Sequence, residues 1–258
     1  MVYRHSLLAS LASSNPEPVP STLDPLLNMF ESGEDGCILD MTAGTMFTDT
    51  GKTTVAEDGD NVRVWADRSG LGNDFVSDSD ALRPPLSTAT GALHLAFSNH
   101  MFRGPAAPFG NYSDLTFFVG IRGSSSGDTV LGVPHSSSGH TNPFFRWNFF
   151  LLISGGFKLS SRFNGITDST GALSINTTPA CMGADPGSNN YYEDGAVESS
   201  PTMSSPITYP DPAPVRIGEN GGGGERFAGE IYFFFLINRS LSLTEVELVN
   251  THCQTFFP

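Results

Sequence analysis

The strongest strand signal in the chain is the run GEIYFFFLI at residues 229–237. Aromatic and β-branched residues make up most of this run, and such residues favour the pleated surface of a sheet. Side chains alternate along a strand, so two sets are expected on opposite sides of the sheet: Ile231, Phe233 and Phe235 on one, and Tyr232 and Phe234 on the other. The run therefore predicts a long strand near the C-terminus.

Shorter strand signals precede this run along the chain. They alternate apolar and polar residues or are nearly all apolar, and turn-forming residues separate them, with 28 glycines and 18 prolines among 258 residues. A chain of this length can bury a large core as one domain. The sequence predicts an all-β, two-sheet antiparallel sandwich over residues 36–258. The shorter strands are expected at residues 37–41, 62–67, 92–97, 115–121, 129–133, 144–153, 156–163, 191–196 and 215–218.

Both ends of the chain differ from this pattern. Ser242 and Glu245 form a capping-box pair, which predicts a short helix that ends near Cys253. Residues 1–35 contain the Pro-rich stretch SSNPEPVP, which predicts an extended N-terminal arm, with one short helical turn at residues 23–29. The chain has no apolar run long enough to span a membrane and no convincing signal peptide, so neither membrane insertion nor signal-directed secretion is expected.

The C-terminal region resembles the closing segment of laminin-G-like and concanavalin-A-like lectin/glucanase domains. The resemblance rests on Phe-x-Gly-x-Ile at residues 227–231, on Asn-Arg-x-Leu-Ser at residues 238–242 and on Glu245 in the following helix. Residues 191–195, which end in Asp-Gly, and residues 215–218, which end in Ile-Gly, match the preceding hairpin and strand of that family. The resemblance implies a jelly-roll sandwich.

A second group of residues resembles the lead-in of jelly-roll proteins that tailed phages and prophages encode. In chain order the group is Met46-Phe47-Thr48-Asp49, Thr53-Thr54-Val55, Asp58-Gly59-Asp60-Asn61-Val62, Trp65-Ala66-Asp67-Arg68-Ser69-Gly70, Gly72-Asn73-Asp74 and Arg83-Pro84-Pro85. Such proteins are typically virion components, such as fibre, spike or capsid-decoration proteins. The resemblance implies a virion protein, made in the host cytoplasm, that attaches to other virion proteins through residues 1–35.

The catalytic motif of the related glucanases is absent from the sequence. Those enzymes use a Glu-x-Asp-x-x-Glu strand with its carboxylates on one face, whereas a turn interrupts the acidic stretch at residues 193–198. No histidine pair has the spacing of zinc ligands. The serines between His135 and His140 lack the Gly-x-Ser-x-Gly context of a nucleophile. The sequence therefore predicts a protein that binds or builds and is not an enzyme.

Two kinds of binding site have candidate residues. A glycan site needs an exposed aromatic platform with polar neighbours, and the candidates are Trp147 with Arg146 and Asn148, and Tyr191 and Tyr192 with Asn189. Calcium needs several oxygen ligands, and the candidates are Asp58, Asp60, Asp78 and Asp80. Core packing of the aromatic rings and ordinary turn chemistry of the aspartates are the alternatives. No cofactor is required by the sequence, and calcium is the one candidate.

Charge restricts the possible binding partners, and the cysteine content restricts the possible zinc sites and disulfides. The net charge is −14 and no run of basic residues exists, so binding to nucleic acid or to an anionic membrane is not expected. Cys37, Cys181 and Cys253 lack the spacing of a zinc site and allow at most one internal disulfide. Buried free thiols are the expected state.

The favoured function is a structural virion protein of a tailed bacteriophage, a head or tail decoration, spike or fibre component. Its lectin-like jelly roll would project outward for adhesion to host-surface glycans. A homo-oligomer, such as a trimer, is expected. Two alternatives stay open: a carbohydrate-binding lectin module that is not part of a virion, and a glycoside hydrolase or lyase with an unrecognised site.

Overall fold

The computed structural model describes residues 24–105, 116–123, 128–133, 147–153, 157–163, 166–169, 178–185, 190–199, 214–219 and 226–258. The described elements are α1 (Asp24–Leu27), β1 (Gly36–Asp40), β2 (Met46–Phe47), β3 (Val64–Trp65), β4 (Phe75–Val76), β5 (Leu86–Ser87), β6 (His94–Ser98), β7 (Phe102–Arg103), β8 (Thr116–Gly123), β9 (Asp128–Val133), β10 (Trp147–Ile153), β11 (Phe157–Phe163), β12 (Ile166–Ser169), β13 (Ala180–Asp185), β14 (Asn190–Glu193), β15 (Ala196–Ser199), β16 (Arg216–Ile217), β17 (Ala228–Ile237) and α2 (Leu243–Gln254). Short 3-10 turns follow α1 at Asn28–Phe30 and precede β5 at Asp80–Leu82.

The strands form two antiparallel sheets. The first sheet has the order β15-β14-β13-β8-β17-β6-β5, and β1 also pairs with β17. The second sheet has the order β12-β11-β10-β9-β16-β7-β4-β3-β2. The run that gave the strongest strand signal is β17, which pairs with β8 on one side and with β6 and then β1 on the other. The predicted all-β, two-sheet antiparallel fold with a short C-terminal helix is confirmed.

Two apolar clusters lie on opposite sides of the first sheet. The main core fills the space between the sheets and includes Trp65, Phe75, Phe97, Phe102, Phe117 and Phe234. The second cluster lies between the first sheet and the helices and includes Leu26, Phe30, Phe118, Tyr192, Phe233, Phe235 and Val249. Both faces of the first sheet are therefore covered, which explains why its central strand reads as an almost continuous apolar run.

A β-bulge in β17 changes the side-chain pattern expected from the sequence. Ile231 pairs with Ile121, and Phe233 pairs with the next residue of β8, Gly120, so Tyr232 is an extra residue. Ile231 and Phe234 then belong to the main core, whereas Phe233 belongs to the second cluster. The prediction that Ile231 shares one side of the sheet with Phe233 was wrong, because the bulge shifts the alternation of side chains by one residue.

The local signals at the C-terminus and at the Asp-Gly turn are confirmed. The Ser242 hydroxyl accepts a hydrogen bond from the Glu245 amide, and the Glu245 carboxylate accepts one from the Ser242 amide, so the capping box is complete. Asp194 and Gly195 join β14 to β15 and both have positive φ, at 48° and 83°. This is the backbone that a two-residue hairpin with the right-handed twist requires.

Residues 24–30 pack onto the body of the fold. Leu26, Met29 and Phe30 are buried in the second cluster, because the short helical turn directs its apolar side chains toward the first sheet. The prediction that residues 1–35 form an arm outside the core therefore does not hold for residues 24–30. Residues 1–23 lie outside the described part of the structure. In the part of the chain that the structure describes, no helix is long and apolar enough to cross a membrane.

Candidate functional site

A surface cleft lies between the N-terminal helical turn and the loop that follows β3. Its volume is about 360 Å³, which falls within the range of roughly 300–1,000 Å³ that is typical of small-molecule sites. We call it the Arg68 cleft. Its lining residues are Leu27, Phe30, Glu31, Arg68, Ser69, Gly70 and Leu71.

Arg68 is held in place from beneath the cleft. Its Nη1 atom donates to Asp40 Oδ2 at 2.8 Å and to the Thr42 hydroxyl. The Asp40 side chain is fully buried, whereas 26% of the Arg68 side chain remains exposed. The described contacts involve Nη1, and a guanidinium carries five N–H donors in a rigid plane. Arg68 is therefore a partly exposed cation at the cleft, anchored through Nη1.

Asp40 stays ionised in this buried setting. Burial raises the pKa of Asp40, but the hydrogen bond with His252, the positive charge of Arg68 and the hydrogen bonds from Thr42 outweigh that effect, so the net shift is downward. An ionised Asp40 attracts the guanidinium at any pH near neutrality. The ion pair between Asp40 and Arg68 is therefore expected at neutral pH.

The loop that forms one wall of the cleft is organised by Asp67. Its carboxylate accepts hydrogen bonds from the amides of Ile38, Ser69 and Asn73, at 2.8–3.0 Å, and one from the Ser69 hydroxyl at 2.7 Å. These bonds fix the loop that presents Ser69, Gly70 and Leu71 to the cleft. The residues that carried the second resemblance thus have a structural role here.

The opposite wall belongs to the N-terminal helical turn. Phe30 packs against Phe235 of β17, with ring centroids 5.8 Å apart, and this contact fixes the turn against the first sheet. Glu31 is exposed at the same wall, and 43% of Leu71 is exposed across from it. The cleft therefore combines a cation, a carboxylate, a hydroxyl and an apolar side chain.

A second group of polar side chains lies at the start of β17, on the side of the first sheet that faces away from the main core. We call it the Glu230 cluster, and it consists of Thr90, His94, Arg122, Glu230 and Tyr232. The Glu230 carboxylate accepts hydrogen bonds from Arg122, from the Tyr232 hydroxyl and, at 3.3 Å, from the Thr90 hydroxyl. His94 Nε2 lies 3.9 Å from Glu230. The cluster joins the loop before β6 to strands β6, β8 and β17.

The Glu230 cluster is more closed than the Arg68 cleft. Tyr232 and His94 are buried, whereas the side chains of Glu230 and Arg122 are 16% and 23% exposed. Burial, together with the hydrogen bond to Glu230, raises the pKa of Tyr232 to about 12. The Tyr232 hydroxyl therefore remains a proton donor to the carboxylate over the whole physiological range.

The structure describes the side chains of only some of the residues predicted to bind a glycan. Tyr191 is buried in the main core and Tyr192 in the second cluster, with at most 1% of either residue exposed. The prediction that this pair forms an exposed platform needs correction, because a strand with both faces covered buries successive side chains. Trp147 and Asn148 begin β10, but their side chains lie outside the described part of the structure, as do residues Arg146 and Asn189.

The four calcium candidates have other contacts. Asp58 accepts a hydrogen bond from the Thr88 amide and Asp60 one from the Glu57 amide. Asp78 pairs with Arg103 at 3.0 Å, and Asp80 pairs with Arg83 at 2.6 Å. Among the described residues, no group of three or more His, Cys, Asp or Glu side chains could hold a metal ion. The aspartates therefore act as turn and ion-pair residues in this structure.

Sequence reasoning missed the residues of both sites. Arg68 and Ser69 belong to a quoted motif, but nothing in the motif marked them as ligand-binding residues. Glu31 and Leu71 are far apart in sequence and meet only because the N-terminal turn packs on the first sheet. Glu230 is the one charged residue in the apolar run at residues 229–237, and this charge could have marked it as a candidate.

Comparison with known proteins gives information on the fold. No protein-family model matches the chain, and no curated protein matches it. Among solved structures, a mutant of the Trypanosoma rangeli sialidase that displays trans-sialidase activity has a TM-score of 0.56 at 15% identity, over 86% of this chain and 33% of that one. The same sialidase with 2,3-difluorosialic acid as covalent intermediate has a TM-score of 0.53 at 16% identity, over 85% and 33%. This chain thus spans about a third of the length of those sialidases.

A third structure matches over its whole length. It is domain 4 of AbnA, a GH43 extracellular arabinanase from Geobacillus stearothermophilus, in complex with arabinotriose. The TM-score is 0.52 at 13% identity, over 84% of this chain and 100% of that domain. The fold is shared with carbohydrate-active proteins. At these identities the likeness concerns the fold alone.

The comparisons correct one expectation from the sequence. The missing carboxylate motif led to the prediction that the chain is not an enzyme. The structures that share the fold belong to glycoside hydrolases, the sialidase and the arabinanase. The prediction was wrong because it tested for the motif of a single enzyme group, the glucanases.

Proposed function

We propose that this chain is a carbohydrate-binding β-sandwich and that it binds a neutral oligosaccharide in the Arg68 cleft. The observation that carries the proposal is the match of 84% of this chain with the whole of the arabinanase domain, whose structure contains arabinotriose. The virion role that the phage resemblance implied has no support from the comparisons, whereas carbohydrate recognition has this support.

The chemistry of the cleft fits a sugar. Vicinal hydroxyl groups can accept from the Arg68 guanidinium and donate to the Glu31 carboxylate, while the C–H face of the ring contacts Leu71. Phe30 holds the backbone of one wall and Asp67 that of the other, so little backbone ordering opposes binding. A shallow site of this kind is expected to bind one or two sugar units.

Charge favours a neutral ligand over an acidic one. Asp40 neutralises Arg68 from below, and Glu31 adds a negative charge at the wall of the cleft. The chain as a whole carries a net charge of −14, which repels polyanions. Arabinotriose is therefore expected to bind more tightly than sialyllactose.

Isothermal titration calorimetry with arabinotriose, other neutral oligosaccharides and sialyllactose tests the proposal. In the double variant Glu31→Ala/Leu71→Ala, affinity is expected to fall at least about tenfold, which corresponds to about 1.4 kcal/mol. The matched control is Glu57→Ala/Leu243→Ala, since both of these side chains are exposed elsewhere on the surface. If no neutral oligosaccharide binds at millimolar concentration, or if the cleft variant binds as well as the control, the proposal fails.

Glycoside hydrolysis at the Glu230 cluster is a second candidate function. The observation that favours it is a partly exposed carboxylate held by three side-chain donors, an arrangement that can position an acid or a base against a glycosidic bond. Release of reducing sugars from arabinan or from a sialoglycan is expected in the wild type and is expected to be lost in Glu230→Gln. Release that persists in this variant would exclude the cluster as the catalytic site.

A further inference from the structure

The three cysteines are divided between the two sides of the first sheet. Cys37 of β1 belongs to the main core between the sheets. Cys181 of β13 and Cys253 of α2 both belong to the second cluster, between the sheet and the helix. All three are buried, free thiols in this structure. Because a hydrogen-bonded sheet separates Cys37 from the other two, only Cys181 and Cys253 share one side of it.

A glycine in the intervening strand shows how close these two side chains lie. Cys181 is the direct cross-strand partner of Gly120 in β8, and side chains at such positions stand about 4.5–5.5 Å apart at Cβ. The Cys253 sulfur occupies the space above Gly120, only 2.7 Å from the point where a Cβ atom would be. The absent side chain of Gly120 therefore makes room for the Cys253 thiol beside Cys181.

A direct interaction between the thiols agrees with this geometry. Burial raises the pKa of Cys253 well above its ordinary value, and a hydrogen bond with the Cys181 thiol raises it further. The neighbouring residue, His252, anchors the same turn of α2, since its Nε2 atom is 3.1 Å from Asp40 Oδ2. The turn that carries Cys253 is thus fixed against the sheet.

We propose that Cys181 and Cys253 form an internal disulfide that fastens the C-terminal helix to the first sheet. Two thiols lose two protons and two electrons, and a low-molecular-weight disulfide such as oxidised glutathione accepts the electrons. One cysteine thiolate attacks that disulfide and releases one glutathione. The other cysteine then attacks the mixed disulfide, which forms the protein S–S bond and releases the second glutathione.

The bond forms during folding or when α2 opens from the sheet. In the closed state Cys253 is buried and its pKa is raised, so little thiolate is available for exchange. Once formed, the bond keeps α2 on the second cluster even when the helix would otherwise open locally. The expected gain in Tm is about 5–10 °C, since the bond closes a long loop in the unfolded chain.

Tryptic mapping without reduction tests the proposal directly. Cleavage after Lys and Arg places each cysteine in its own peptide: Cys37 in residues 5–52, Cys181 in residues 163–216 and Cys253 in residues 240–258. After refolding in a buffer of oxidised and reduced glutathione, the peptides of Cys181 and Cys253 are expected to be cross-linked, and dithiothreitol is expected to separate them and to lower the Tm. Cys37→Ala is the matched control and is expected to keep the cross-link.

Three results would overturn the proposal. The first is three free thiols after oxidative refolding of the full chain. The second is a cross-link that includes the Cys37 peptide. The third is a Cys181–Cys253 cross-link that leaves the Tm unchanged on reduction, because a bond without effect on the Tm does not fasten the helix. In Cys181→Ala and Cys253→Ala no internal cross-link is expected, and the mapping of the wild type does not depend on whether these variants fold.

Discussion

His252 Nε2 lies 3.1 Å from Asp40 Oδ2, and this contact joins the last turns of α2 to the end of β1. The same carboxylate oxygen lies 2.8 Å from Arg68 Nη1. Asp40 and His252 are both buried, so water screens the contact little. One carboxylate thus connects the first strand, the wall of the Arg68 cleft and the C-terminal helix.

Replacing Asp40 with Asn is expected to lower the free energy of unfolding by about 3 kcal/mol, because it leaves Arg68 without its buried counter-charge. Urea unfolding followed by circular dichroism measures this loss. Asp78→Asn is the matched control, since Asp78 pairs with Arg103 at the surface and such pairs contribute at most about 1 kcal/mol. Equal losses in the two variants would show that burial of the Asp40 pair has no effect on stability.

Acid should destabilise the protein through the same carboxylate. The pKa of Asp40 is lowered in the folded protein: burial opposes this shift, but the contacts with His252, Arg68 and Thr42 outweigh burial. A lowered pKa means that the unfolded chain takes up the proton first as pH falls. The contribution of Asp40 to the free energy of unfolding is therefore complete above the ordinary aspartate pKa. It is lost as pH falls through the pKa that Asp40 has in the folded protein. The unfolding free energy of the wild type should fall more steeply with acid than that of Asp40→Asn.

The capping box of α2 makes a second contribution to the free energy of unfolding that acid should remove. The hydrogen bond from Arg239, together with those from Ser242, lowers the pKa of Glu245 to about 2 against the opposing effect of burial. Glu245→Gln is expected to lower the unfolding free energy by about 1 kcal/mol at pH 7. The difference from the wild type should shrink as pH falls from about 4.5 to about 2. Glu247→Gln, on the exposed side of the same helix, should show neither effect.

Alkaline titration should reveal Tyr232. Burial and the hydrogen bond to Glu230 raise the pKa of Tyr232 to about 12, so the unfolded chain loses this proton before the folded one. Stability linked to Tyr232 is present below pH 10 and is lost as pH rises from about 10 to about 12. In Tyr232→Phe the decline in unfolding free energy over this window should be shallower. An unchanged slope would contradict the raised pKa.

The virion predictions from the sequence remain untested. They comprise a place in a phage head or tail, attachment through residues 1–35, a trimeric state and production in the host cytoplasm. The phage-like residues between positions 46 and 85 organise the loop of the Arg68 cleft through Asp67. Analytical ultracentrifugation of the full chain would measure the oligomeric state.

Much of the fold could be predicted because its signals are local. The strand at residues 229–237, the Asp194-Gly195 turn and the capping box of Ser242 each depend on a few neighbouring residues with strong backbone preferences. The side-chain pattern beyond Tyr232 could not be predicted, because a bulge depends on how β17 pairs with β8. The burial of Tyr191 and Tyr192 likewise depends on what covers each face of the first sheet.

The sequence by itself determined an all-β chain, its longest strand and its C-terminal helix, since periodicity and capping act within a few residues. The tertiary structure alone decided which distant side chains meet. It brought Arg68 to Asp40, Glu31 to the wall opposite Leu71, and Cys253 to the side of the sheet that holds Cys181. These contacts arise from the packing of whole sheets and helices, and no local pattern encodes them.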